Sequence, residues 1–211
     1  MILINGVVVT NDKDNNFYEN GAVYVKENVI EDVGNTEDIK NKYPDEEVID
    51  VKGRVIMPGM ICAHSHIYST YARGMAVSRP TDNFYNVLEN QWWTLDRQLK
   101  LDDVKLNRLT MFMESITKGV TTVIDHHSGP NSVEGSLFAL GEAAKETGMR
   151  ASLCYEVSDR DGLDIRDKEI KENVDWIKAC QKDNHNDTLH GLFGLHASFT
   201  VSDETLEKSR E

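Results

Sequence analysis

Val55-Ile56-Met57-Pro58-Gly59-Met60-Ile61-Cys62-Ala63-His64-Ser65-His66 reads as a Pro-Gly turn, a short apolar strand, and two histidines one residue apart where the strand ends. Successive side chains of a strand alternate between faces, so His64 and His66 project together and Ser65 turns away. Two neutral imidazoles on a rigid strand end form a chelating pair that suits zinc or iron. A bare His-x-His arises often by chance. Its meaning depends on whether the rest of the chain builds a cleft around it.

Upstream, residues 1 to about 56 read as a small all-β unit. Ile2-Leu3-Ile4, Val7-Val8-Val9, Gly21 to Val25 and Val29 to Val33 are short β-rich runs, with Lys26-Glu27-Asn28 at hairpin distance. A brief helical turn around Thr36 to Lys42 ends before Pro44, and a last strand covers Glu47 to Val51. Nothing there is chemically distinctive.

Downstream, the rhythm becomes strand, loop, helix. Strand Met60 to Ala63 precedes a long polar and aromatic segment from Ile67 to about Lys100. Asp102 can cap a helix with Leu109, Phe112, Met113 and Ile116 on one face, stopped by Gly119. Strand Val120 to Ile124 ends in Asp125-His126-His127, and a helix over Val133 to Thr147 aligns Val133, Leu137, Leu140 and Ala144. Strand Ala151 to Val157 follows, then a helix aligning Ile170, Val174 and Ile177, strand Leu189 to Leu195 ending in His196, and a last helix from Ser202 or Asp203.

Strands alternating with amphipathic helices imply parallel β/α units, and polar chemistry recurs where these strands finish. A closed barrel needs eight such units in about 250 residues. Four are present, and Lys208-Ser209-Arg210-Glu211 lies inside a helical pattern. The expectation is a small β domain over residues 1–56 and a partial α/β TIM barrel over residues 57–211, the amino-terminal half of something longer.

Composition narrows the partners. A net charge of -13 over 211 residues argues against nucleic acid and against an anionic membrane surface. Cys62, Cys154 and Cys180 are odd in number and form no Cys-x-x-Cys, which reads as reduced thiols in a cytoplasmic protein. No apolar run approaches transmembrane length, and the amino terminus has no signal-peptide pattern.

Met57-Pro58-Gly59 leading to His64-Ser65-His66, then Tyr71-Ala72-Arg73-Gly74, Gly119 to His126, and Gly194-Leu195-His196-Ala197-Ser198-Phe199-Thr200 together resemble the amidohydrolase superfamily. The resemblance is to its cytosine deaminase and chlorohydrolase-like branch. Asp125 to Pro130 and Leu192 to Thr200 look like the SsnA-type aminohydrolases. The resemblance implies a metal-dependent hydrolase of non-peptide carbon–nitrogen bonds, often a deaminase of an aminated heterocycle. It implies one divalent ion, zinc ahead of iron, held by His64 and His66 and by further ligands beyond Glu211. The family's glutamate and histidine that handle protons would also lie beyond Glu211, so no catalytic acid or base is expected here. His196 matches the strand-four histidine that contacts substrate, and the absence of lysine from Leu189 to His196 favours a single ion over a bridged pair.

Each candidate has a plainer reading. His196 either contacts substrate or is bonded to backbone as a structural histidine. Of His126 and His127, at most one faces the cleft if the strand persists; His127 is taken as the substrate-side residue, with structural service the alternative. Arg73 contacts substrate or makes a salt bridge. Asp125 braces the loop or orients a ligand histidine. Trp92, Trp93, Phe84 and Tyr85 form an aromatic lid or pack the helices. The functional alternative is a non-catalytic half-barrel that serves assembly or binding. Its open edges would make it self-associate.

Overall fold

In the computed structural model, which describes residues 1–182 and 187–211, the chain divides into two compact units, Met1–Gly59 and Met60–Glu211. In the first, period-two burial of Ile2, Ile4, Gly6 and Val8 makes β1 (Ile2–Val9) the central strand. It pairs antiparallel with β2 (Phe17–Lys26), which continues into β3 (Val29–Asn35) through a hairpin. After α1 (Thr36–Lys42), the short strands β4 (Val48–Asp50) and β5 (Val55–Ile56) run parallel to β1. Ile2, Ile4, Ala22, Tyr24 and Ile39 form the core.

The second unit is a parallel sheet with helices. β6 (Met60–Ser65) leads into a 3-10 turn (Ile67–Ala72), α2 (Phe84–Val87), a π-helical turn (Leu88–Trp92) and α3 (Trp93–Asp96). Then come α4 (Leu101–Thr117), β7 (Val120–His127), α5 (Ser136–Thr147) and β8 (Arg150–Val157). The rest is α6 (Leu163–Lys182), β9 (Leu189–Gly191), β10 (Gly194–Leu195) and α7 (Asp203–Arg210). The strand order is β6-β7-β8-β10, with β9 also on β8 and every pairing parallel. Among the described residues no helix is long and apolar enough to cross a membrane.

Several elements differ from the sequence expectation. β7 runs on through His127, because Asp125, His126 and His127 pair in register with Leu153, Cys154 and Tyr155. The fourth strand is two short pieces rather than one. β10 approaches closely because Gly194 has no side chain; a Cβ there would sit 2.4 Å from the Tyr155 carbonyl oxygen. Helix α5 does bury Val133, Leu137, Leu140 and Ala144 at its entry and along its length.

Helix α4 is rotated from the expected face. Met113 and Ile116 are exposed, whereas Val104, Asn107, Arg108, Phe112 and Ser115 are buried. The cause is electrostatic. Arg108 and Asp125 form an ion pair with neither side chain exposed. The other oxygen of Asp125 accepts from the Ile67 amide at 2.8 Å and lies 3.0 Å from Ser65 Oγ. One carboxylate thus ties α4 and β7 to the residues on either side of His66, the loop-bracing reading of Asp125.

Helix α6 likewise buries polar groups. Glu172 accepts from the Gly135 and Leu137 amides at 2.9 Å, capping α5, and Asn173 bonds both the amide and carbonyl of Tyr155. Glu169 accepts from the Ser158 amide at 2.9 Å, and burial pushes its carboxyl up to about 8.

Two stability predictions follow from these buried groups. Asp125→Asn leaves a buried guanidinium without its counter-ion, so urea denaturation should show a loss of roughly 3 kcal/mol or more. For Glu169, the folded protein keeps a proton that the unfolded chain releases above its ordinary value of 4.5. Stability therefore falls as pH rises from about 5 to 8, by at most about 1.4 kcal/mol per unit. Glu169→Gln retains an acceptor for Ser158, and thermal melts across that range should show a flatter profile.

Candidate metal centre

β6 delivers His64 at its end and His66 one residue beyond it, and their Nε2 atoms converge to 3.0 Å. Zinc–imidazole bonds of about 2.0–2.1 Å, at angles between square and tetrahedral, separate two donor nitrogens by about 2.9–3.3 Å. The pair therefore fits a chelated divalent ion, and the all-nitrogen donor set suits zinc or iron. Among the described residues no group of three or more His, Cys, Asp or Glu side chains is arranged to hold a metal. Among the described residues, two nitrogens of the four donors that zinc usually takes converge here.

Beside this pair opens a cleft of about 540 Å³, lined in part by His126, Glu156 and His196. They come from the ends of β7 and β8 and from just after β10, the same end of the sheet as His64 and His66. Glu156 is 3% exposed. Its Oε1 lies 3.0 Å from His66 Nδ1 and 3.7 Å from His126 Nδ1, and its Oε2 lies 4.0 Å from His196 Nε2. Burial opposes its charge, but hydrogen bonds from His126 and His66 outweigh that and draw its carboxyl down to about 2. The bond to Glu156 raises His66 above the usual imidazole range. Burial lowers His196, whose Nδ1 is 2.7 Å from Thr200 Oγ1.

The structure separates the adjacent histidines of β7. His126 faces the cleft. His127, taken from sequence as the substrate-side residue, is instead 1% exposed on the opposite face, edge-on to Tyr68 and Tyr155. The reason is strand alternation: Asp125 and His127 share the helix-facing side, and β7 persists far enough to enforce it. Burial holds His127 neutral, down to about 4. Arg73 is exposed and does not line the cleft; it borders a separate recess of about 730 Å³ that His64 and His66 also reach.

Phe84, Trp92 and Trp93, which the sequence leaves open between an aromatic lid and helix packing, stand in the cleft wall, whereas Leu88 and the carboxylate of Glu156 have no place in the sequence expectation. Phe84, Leu88, Trp92 and Trp93 line the cleft, with the Trp93 ring 6.4 Å from that of His196. Glu156 had a signal available, a single carboxylate near the end of an otherwise buried strand. Its pairing with His66 depends on β7 and could not be read locally.

Residues 55–211 match the amidohydrolase family. A 5'-deoxyadenosine deaminase of Methanosarcina mazei is 29% identical over 214 residues, covering 100% of this chain and 45% of the relative. Guanine deaminase from C. acetobutylicum with bound guanine superposes with a TM-score of 0.79 at 18% identity, covering 99% of this chain and 49% of that one. An atrazine chlorohydrolase from Arthrobacter aurescens complexed with zinc gives 0.72 at 19% identity, covering 98% and 49%. The chain spans about half the length of the relatives it matches. With a family match over most of its length and four parallel β/α units that follow a small β unit in sequence, the chain belongs to the amidohydrolase family.

Proposed function

We propose that this chain carries the metal-anchoring and part of the substrate-facing half of an aminohydrolase that removes an amino group from a planar heterocycle. The observation that carries the proposal is the convergence of His64 Nε2 and His66 Nε2 at 3.0 Å, at the strand end beside an aromatic-walled cleft. A divalent ion held there, zinc ahead of iron, would supply the acidity that makes water a nucleophile near neutral pH. His196 and the rings of Trp92, Trp93 and Phe84 would hold a flat substrate. The names of the relatives, a 5'-deoxyadenosine deaminase and a guanine deaminase, support an aminated purine or similar ring as the substrate class. Remaining ligands and the groups that move protons are assigned to chain outside these residues, so residues 1–211 alone are inactive in this reading.

A non-catalytic half-barrel that pairs with another chain is the second reading. It draws on the exposure of Met60 at 50% and Ile61 at 64% on β6, which lies at the edge of the sheet.

Residues 1–211 should show no turnover of guanine, cytosine or adenosine with added zinc or iron. The protein extended by the downstream reading frame should release ammonia from one such substrate, and His64→Ala or His66→Ala should abolish both its metal content and its activity. An ammonia-release assay with metal analysis checks this. Robust turnover by residues 1–211 contradicts the division of labour, and an extended protein active without metal contradicts the chemistry.

A further inference from the structure

The carboxylate in the cleft has a task that the metal pair alone does not explain. Glu156 is nearly fully buried, and a buried carboxylate is costly unless donors surround it. Glu169 and Glu172, the other glutamates buried in this unit, spend their oxygens on backbone amides. Glu156 turns its oxygens to imidazoles, the nearest being His66 Nδ1 at 3.0 Å.

His66 Nδ1 faces two groups that can only accept, the Glu156 carboxylate and the His126 carbonyl oxygen at 3.2 Å. A ring nitrogen between two acceptors carries the proton. Nε2 of neutral His66 is then left with its lone pair, directed at His64 Nε2. Without an ion, His64 Nε2–H donates to that lone pair. To hold a cation with both nitrogens, His64 would carry its proton on Nδ1 rather than Nε2.

Resting on the metal reading above, we infer that Glu156 is a positioning residue, fixing His66 in the Nδ1–H tautomer and in the ring orientation that presents Nε2 to the ion. It acts through His66, whose Nδ1 lies 3.0 Å from its carboxylate. A carboxylate behind a ligand histidine also raises the basicity of that ligand, and losing such a partner typically costs 10–100-fold in metal affinity. His126 and His196, at 3.7 and 4.0 Å, complete the surroundings that keep this carboxylate ionised inside the fold.

The test uses residues 1–211 and Zn²⁺ alone, competed against a chromogenic chelator, alongside long-range ¹⁵N–¹H spectra of the histidine rings. The parent protein without metal should show the neutral form of His66 as a single Nδ1–H tautomer. Glu156→Gln, close in shape, should retain dispersed spectra and bind Zn²⁺ about 10–100-fold more weakly. Glu156→Leu should bind no better than Glu156→Gln and show mixed tautomers at His66, while His66→Ala should lose Zn²⁺ altogether. If His66→Ala loses Zn²⁺ but both Glu156 variants bind like the parent, this inference fails alone. If His66→Ala binds Zn²⁺ like the parent, the metal reading fails and the inference with it. A parent spectrum in which neutral His66 carries its single proton on Nε2 overturns the inference regardless of affinity.

Discussion

The ion pair between Arg108 and Asp125 constrains the second unit more than any single apolar contact. Both side chains are excluded from solvent, and the carboxylate serves a helix, a strand and the loop through His66 at once. Such a pair adds little to stability compared with apolar residues of similar volume. Its effect is on geometry. Rotating α4 to satisfy Arg108 brings Val104 into the core, keeps Phe112 there and turns Met113 and Ile116 outward. The same carboxylate fixes the backbone at Ile67, so the direction of His66 follows from a contact on the far face of β7.

Helix α6 extends this logic. Its inner face carries Glu169, Glu172 and Asn173 where an amphipathic helix would carry aliphatic residues. Each takes up backbone groups at the margins of the regular elements, at the start of α5, at Tyr155 and at the amide following β8. A sheet whose strand ends carry polar side chains leaves backbone donors there without a regular ladder partner, and burying them unpaired is expensive. The helices satisfy them from behind, which leaves the cleft side free for histidines.

Much of this was legible in the residues. Period-two burial in β1, the β/α alternation after Met57 and the shared face of His64 and His66 all follow from local patterning. The calculation of helix faces from apolar spacing worked for α5, where Val133, Leu137, Leu140 and Ala144 are all buried. It holds only in part for α4, where Phe112 is buried but Met113 and Ile116 are exposed, and for α6, where Ile170, Val174 and Ile177 are half-buried beside Glu169, Glu172 and Asn173, because buried charged and amide groups carry no hydrophobic signal. The parity of His126 and His127 was stated correctly as a rule, but choosing between them required knowing that β7 continues past Ile124. Glu156 was missed because its partners are distant in sequence and meet only across the sheet.

Gly194 carries a consequence of a different kind. The space a methyl group would need is taken by the Tyr155 carbonyl, so β10 lies against β8 only because nothing projects there. Two residues on, the His196 amide bonds the Val157 carbonyl at 3.0 Å, and the imidazole reaches the cleft from that anchor. Whatever side chain stands at residue 196 is thus carried on a backbone whose close approach two residues earlier leaves room for glycine alone.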